Sequence, residues 1–397
     1  MAKKSIVLLG GQLFNKGAQA MTFISVDEMK RRFPDHDVVL LSSKDYKRDE
    51  HEKENYQFRI LPNPRYRLLY IAAFSKKFKL LKYIVRNQEH RKMLEMFHNT
   101  DYVLDISGYA LGSDWGCENS RNYCLRVKLT KMLGARVYLM PQSFGPFDYT
   151  GKKANQTKRA IRSELQMADL IMAREREGYE LLKKQFGLCN VIQSYDMVLQ
   201  NKGIHLESIY KKLPTLMIPD IRKNSVCIIP NTKTMKFSGD KDPIAMYDEI
   251  IDSLKKCNKH IYFMAHSAED RSICKELYDR YQDKHDSIFY LDHDFSCIEF
   301  DQTVSKFDFI IASRYHAIIH AYRNAVPAIV LGWALKYKEL MRLFTQEQYH
   351  FNVRESIDLA QLKNAVQTMT DQYRTESLKI QNGLNVIQKD NSFNRIQ

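Results

Sequence analysis

No stretch of this 397-residue sequence approaches the roughly 20 consecutive apolar residues needed to cross a bilayer as a helix. The opening "MAKKSIVLLGG" sets lysines before an apolar run, but that run is shorter than a signal-peptide core and ends in two glycines. It reads as a first core strand, and a cytoplasmic location is expected. The seven cysteines form no C-x-x-C pair, so each is expected to be a buried, reduced thiol and a structural zinc site is not expected. H-E-x-x-H, metal-spaced histidines and G-x-S-x-G are missing, which removes the commonest zinc-hydrolase and serine-hydrolase chemistries. The phosphate-binding pattern G-x-x-x-x-G-K-[ST] is missing too, which disfavours P-loop phosphoryl transfer. There is no short repeat and no low-complexity tract.

What is present is the composition of a soluble globular protein, 44% hydrophobic and 27% charged, long enough for two domains. The formal net charge of +14 favours an anionic partner, whether nucleic acid, anionic lipid or a phosphorylated substrate. Charge does not choose among these, so position must.

Short, nearly continuous apolar runs alternate with helical stretches in two series. The first holds "SIVLLGG" (5–11), a helix over 17–32, "DVVLLSS" (37–43), "YVLDISG" (102–108), "ARVYLMPQSFGP" (135–146) and "ADLIMARE" (168–175). The second holds "SVCIIPN" (225–231), "HIYFMAHS" (260–267), "SIFYLDHD" (287–294), "FDFIIASR" (307–314) and "PAIVLGW" (327–333). Runs of this kind belong to parallel sheets covered on both faces. The expected fold is α/β, with two Rossmann-like domains facing a cleft in a GT-B-like arrangement. The expected divisions are 1–205, 222–375 and a C-terminal helix or tail over 376–397. Ligands in such sheets sit beyond the carboxyl ends of the strands, where each candidate below falls.

Arg314 and His316 stand at the end of the 307–314 strand and the start of a helix, a place that attracts anions. Arg314 suits a phosphate or carboxylate, and His316 can donate a proton near neutral pH. A salt bridge for Arg314 and a helix cap for His316 are the competing accounts. Lys336 follows the next strand toward the same edge. Arg174 is a second candidate anion grip, with an ion pair as its alternative, and Asn231, His266 and Asp270 lie at neighbouring strand ends. In the first half, "GGQLFNKGAQAM" (10–21) is a glycine-bearing turn that can bring backbone amides to a diphosphate or serve structure alone. Asp114 can act as a base toward a sugar hydroxyl or cap a helix, and Trp115 can stack on a sugar. "MPQSFGPF" (140–147) carries Gln142 and Ser143 toward the cleft.

One segment departs from the pattern. Residues 64–93 hold nine Lys and Arg against a single Glu89, interleaved with Tyr66, Tyr70, Phe74, Phe78 and Tyr83. That is the composition of an anionic membrane surface contact, or of a surface helix with its aromatics turned inward. Basic residues gathered in one segment, with no recognised motif, argue against a nucleic-acid partner.

Taken together, "NKGAQAM", "QSFGPF", "AREREGYELL" and "ASRYHAIIHA" resemble motifs of the polysaccharide pyruvyl transferase family, in order, across about residues 5–345. Tyr315, where leucine is usual, and segment 64–93 depart from it. The resemblance implies transfer of a pyruvyl group from phosphoenolpyruvate onto two hydroxyls of one sugar, closing a cyclic ketal. Phosphoenolpyruvate would be a co-substrate, with no other cofactor and no metal. It places Arg174, Arg314, His316 and Lys336 at the donor. Asn231 is expected beside them from its strand end, and the chemistry of the donor then casts a cationic His316 as acid and Asp114 as base. Asn15, Lys16, Gly17, Trp115, Gln142 and Ser143 are then expected on the acceptor side. The implied acceptor is a cell-surface or capsular polysaccharide precursor, such as an undecaprenyl-diphosphate-linked oligosaccharide, met at the inner face of the plasma membrane. A nucleotide-sugar glycosyltransferase of the same architecture is the alternative.

Overall fold

The computed structural model describes residues 3–75, 88–237, 243–284 and 286–397. The first half is built on an eight-stranded sheet of β1 (Ser5–Leu9), β2 (Asp37–Ser42), β3 (Arg59–Pro62), β4 (Thr100–Asp105), β5 (Tyr109–Leu111), β6 (Arg136–Phe144), β7 (Leu170–Ala173) and β8 (Val191–Gln193). Its order is β3-β2-β1-β4-β6-β7-β8, with β5 beside β6. The second half carries β9 (Ser225–Ile229), β10 (His260–Met264), β11 (Ile288–Leu291), β12 (Phe309–Ala312), β13 (Ala328–Gly332) and β14 (His350–Asn352), in the order β11-β10-β9-β12-β13-β14. Every pairing in both sheets is parallel. The architecture is the two-domain α/β one expected.

Burial on both faces explains the continuous apolar runs. In β1, Ile6 and Leu8 join the core shared with helix Lys16–Arg32, while Val7 and Leu9 point into the core on the opposite face. This is the two-residue alternation of a strand with no solvent face. The strand order reverses between β1 and β4 in one sheet and between β9 and β12 in the other. At such points neighbouring crossovers run to opposite faces and leave a crevice at the carboxyl edge. Gly10 and Ser107 stand at one crevice, and Asn231 and Arg314 at the other.

β3, β5, β8 and β14, which the sequence reading lacks, are three or four residues long. They are also only partly buried, so they lack the continuous apolar run that marks β7 and β12, which are equally short. Helix Leu359–Ile387 runs unbroken for 29 residues, so residue 376 lies inside it. Beyond that helix the chain returns to the first half. There Ser392 Oγ donates to Gln200 at 2.7 Å, Asn391 Nδ2 donates to Glu28 at 3.0 Å, and Phe393 is buried.

All seven cysteines are free, as expected, but Cys189 is exposed and Cys117 and Cys257 are only half-buried. Cys189 falls in the surface connection between helix Arg176–Phe186 and β8, where nothing covers it. Among the described residues no helix is long and apolar enough to cross a membrane, and no group of His, Cys, Asp and Glu is arranged for a metal. Lys76, Lys77, Lys79, Lys82 and Arg86 of the basic segment, with Phe78 and Tyr83, lie outside the described residues.

Candidate active site

The second-half crevice opens where β12 ends. Ser313 is fully buried, and its carbonyl accepts from Asn231 Nδ2 at 3.3 Å and from Tyr337 Oη at 3.0 Å. Asn231 Oδ1 also accepts the Lys233 amide at 2.9 Å. Asn231 therefore ties the end of β12 to the start of helix Thr232–Phe237.

Neither arginine is the open grip expected. Arg314 donates to Asp270 through Nε at 2.7 Å and Nη2 at 2.6 Å, and Nη2 also meets Glu269. Asp270 is fully buried and accepts the Thr232 amide at 3.1 Å as well. Arg174 donates to Asp196 at 2.7 Å, Glu175 at 2.9 Å and Ser143 Oγ at 2.6 Å. Removing one side of such a buried pair typically costs about 3–5 kcal/mol, because the other charge is left unpaired. Both arginines thus hold structure in place. A guanidinium has five N–H donors, so Arg314 Nη1, unpartnered among the described residues, stays available.

The groups left poised are His316 and Lys336. Helix Tyr315–Arg323 begins with Arg314 extended at φ −100° and with no side-chain cap, so its first amides face the crevice. The His316 ring packs on Gly17, where an added Cβ would fall 2.2 Å from Cγ. His316 Nε2 is buried without a hydrogen-bond partner among the described residues. Burial first, then the charges of Arg174 and Lys336, hold its pKa well below the usual imidazole range. The ligand-free ring is therefore neutral, not the imidazolium expected from the sequence.

Lys336 opens the helix Leu335–Leu343 that follows β13. Its ammonium sits 5.1 Å from the Tyr315 ring centre, 5.8 Å from Tyr109 and 5.9 Å from Tyr337. Burial first and Arg174 second lower its pKa to about 8, against a partial offset from Glu175. No carboxylate of the described residues lies within ion-pair distance of Lys336. Tyr315 also faces the Arg174 guanidinium at 4.7 Å, so this one ring supports two cations.

Across the cleft, the first-half crevice holds a cavity of about 780 Å³, lined among others by Gly10, Tyr109, Trp115, Asn119, Asn122 and Arg126. Gly10, at φ +76°, passes so close to Ser107 that a Cβ would lie 2.0 Å from its Oγ; only glycine allows that turn. Trp115 is 45% exposed and stands 5.7 Å from Tyr109. Tyr109 Oη donates to Asp114 at 2.9 Å. Burial, then Asp114, push the phenol pKa far up, so Tyr109 keeps its proton. Aromatic faces beside carboxamides are the chemistry of a sugar site.

The acceptor-side expectations divide. Trp115 lines the cavity, with Asp114 bonded to its wall. Gln142 is fully buried, accepting from Tyr123 Oη at 3.0 Å, and Ser143 is taken up by Arg174 and Glu175. Asn15, Lys16 and Gly17 face the second half instead. Asn15 caps its helix and pairs with Ser267, Lys16 Nζ lies 3.6 Å from Asp294, and Gly17 meets His316. A turn at the edge of β1 can point either way across a cleft, and spacing does not say which. Tyr109 is a site residue that spacing does not single out; its one signal is its place just past β4 in "DISGYALGSDWG".

The family model described as polysaccharide pyruvyl transferase matches residues 15–334. No curated protein is significantly similar in sequence. Among solved structures, a glycosyltransferase from Rickettsia africae is similar at 13% identity and a TM-score of 0.53, covering 100% of each chain. Medicago truncatula UGT71G1 complexed with UDP-glucose is similar at 10% identity and TM-score 0.52, over 98% of this chain and 96% of that one. Anabaena Alr3699/HepE in complex with UDP and glucose is similar at 11% identity and TM-score 0.51, with the same coverage of 98% and 96%. At these identities the likeness is one of fold, the GT-B arrangement.

The contact between Gly17 and His316 gives a test. Helix propensity alone would make Gly17→Ala stabilising by up to ~1 kcal/mol. Overlap with the imidazole should win, giving a net loss of about 1–3 kcal/mol and at least tenfold lower activity. Thermal melts and turnover of the purified variant check both signs.

Proposed function

Because the chain belongs to the polysaccharide pyruvyl transferase family, we propose that it moves the pyruvyl group of phosphoenolpyruvate onto two hydroxyls of one sugar, closing a cyclic ketal. The observation that carries this reading is a cation without its own carboxylate, Lys336, beside a neutral His316, opposite an aromatic, carboxamide-lined cavity. Tyr109 belongs to both sides. It lines the cavity and faces the Lys336 ammonium at 5.8 Å.

A small dianion supplies what the donor side lacks. Its carboxylate and phosphate must be desolvated, which requires several N–H or cationic partners. Lys336, Arg314 Nη1 and the first amides of helix Tyr315–Arg323 supply them. The incoming negative charge counters the Arg174 and Lys336 charges that, after burial, keep His316 neutral, so the imidazole takes up a proton as the donor binds. His316 Nε2 then protonates the terminal methylene, and C2 becomes electrophilic. One sugar hydroxyl attacks C2, and its proton passes through Tyr109 to Asp114. A second hydroxyl forms the other C2–O bond as the bond from C2 to the phosphate oxygen breaks, and the positive charge of the cleft stabilises the departing phosphate. Of the two hydroxyl protons, one makes good the proton given to the methyl group and the other leaves with phosphate.

A nucleotide-sugar glycosyltransferase remains the second reading, favoured by fold likeness to proteins whose structures hold UDP-glucose, or UDP and glucose. A nucleotide needs space for its base and ribose in the second half. Against it, the seam beside β10 is occupied by the Asn15–Ser267 and Lys16–Asp294 contacts. Protection from heat by phosphoenolpyruvate, and not by a nucleotide sugar, separates the two.

The acceptor reading extends to a lipid-linked precursor met at an anionic membrane surface. It is supported by Arg65, Arg67 and Leu68 on the cavity wall and by the exposed Leu68 and Ile71 one helical turn apart. Co-sedimentation with anionic but not neutral vesicles is expected, weakened in the double variant Leu68→Ser/Ile71→Ser. Equal recovery with both vesicle types would remove the membrane contact.

Mass spectrometry of a saccharide acceptor after incubation with phosphoenolpyruvate should show the gain of one pyruvyl ketal, and His316→Asn should abolish it. With Lys336 charged only below about pH 8, kcat/KM for phosphoenolpyruvate should fall tenfold per pH unit above that value. Lys336→Arg, charged throughout, should lose this alkaline limb. An unchanged pH profile in that variant would take Lys336 out of donor binding.

A further inference from the structure

His266 stands just past β10 and is 2% exposed, yet neither ring nitrogen has a hydrogen-bond partner among the described residues. Buried polar atoms are satisfied in the great majority of cases, and an orphan of this kind calls for a ligand or water. Phe300 meets the ring edge-on at 5.1 Å and His320 lies 6.4 Å away. The charges that act on His266 are those of Lys16, His320, His316 and Arg314.

Lys16 reaches this place from the other half, where its neighbour Asn15 bridges to Ser267, the residue after His266. It is the first residue of a 17-residue helix, with Asn15 as cap, so free amides and the positive end of the helix dipole lie beside it. Its side chain is 5% exposed. The only carboxylate within ion-pair distance among the described residues is Asp294, at 3.6 Å, on the loop after β11. Asp294 is 74% exposed and is shared with Arg271 at 3.2 Å. A long contact to a solvent-facing carboxylate is a weak one, and an incoming oxyanion can replace it.

We propose that Lys16, His266 and the first turn of helix Lys16–Arg32 form an oxyanion subsite that takes the phosphate group of the donor. Assigning the phosphate to the donor rests on the pyruvyl-transfer reading; the preference for a phosphate-type oxyanion does not. The His316 ring lies on Gly17, next in sequence to Lys16. A phosphate held here therefore leaves the enol end of a three-carbon donor beside His316. His266 acts as a donor to the phosphate, and Asp294 is the competitor that the phosphate displaces.

Isothermal titration with inorganic phosphate, phosphoenolpyruvate and pyruvate tests the assignment. The wild-type protein should bind the first two. Lys16→Met and His266→Asn should each weaken both by about tenfold or more, while pyruvate, which carries only the carboxylate, changes less than twofold. Asp294→Asn, at an exposed position that does not threaten folding, should tighten phosphate binding several-fold. Absence of phosphate binding in the wild type overturns the subsite. So does unchanged phosphate affinity in Lys16→Met, an equal loss of pyruvate binding, or no gain in Asp294→Asn. Lys16-dependent phosphate binding without ketal formation would sink the pyruvyl reading and leave the subsite standing. Ketal formation with an unaltered KM in Lys16→Met would do the reverse.

Discussion

The close approach of Gly17 to the His316 ring governs how the two halves meet at the cleft. A side chain at residue 17 would overlap the imidazole, so the beginning of helix Lys16–Arg32 can rest on the beginning of helix Tyr315–Arg323 only because none is there. The contacts around it continue the seam. Asn15 pairs with Ser267, and Gln19 Oε1 accepts the Cys297 amide at 2.7 Å inside the core. Two positive helix ends are thereby brought together, an arrangement that favours an anion between them. The 5.8 Å separation of Lys336 from Tyr109 is set by the same docking.

The cleft handles its positive charge in two ways. Arg174 and Arg314 are clamped by carboxylates on the same side of the cleft, so their cost of burial is offset locally and their planes are held rigid. Lys336 and His316 have no such carboxylate and carry the strain of desolvation instead, which appears as lowered basicity in both. A lysine suits that role because its pKa responds to burial, whereas a guanidinium stays charged. Tyr315 joins the two systems, with the Arg174 guanidinium and the Lys336 ammonium both over its ring. Each such contact is worth about 0.5–2 kcal/mol, so the tyrosine at this position is consistent with a cleft that must hold two cations without a ligand.

The aromatic cavity and the cation cluster have different origins in the fold. The cavity lies where strand order reverses between β1 and β4, and the cluster where it reverses between β9 and β12. Each half thus contributes one crevice, and chemistry between two substrates becomes possible only because the crevices face each other. Tyr109, bonded to Asp114 at 2.9 Å and facing Lys336, reaches from the cavity to the cation cluster.

The sequence by itself determined the class of the fold and the addresses of the candidate groups. Continuous apolar runs can be buried only in sheets covered on both faces, and a residue just past such a run must stand at the sheet's edge. His316, Lys336 and Trp115 were legible in this way, and so were ten of the fourteen described strands. Tertiary structure alone decided what each group is free to do. The partner of Arg314, Asp270, is 44 residues away in sequence, and that of Arg174, Asp196, is 22 away. Lys16 faces the second half although it follows a first-half strand. Pairing, exposure and pKa depend on which atoms lie within a few ångströms, and chain spacing does not encode that distance once two sheets fold against each other.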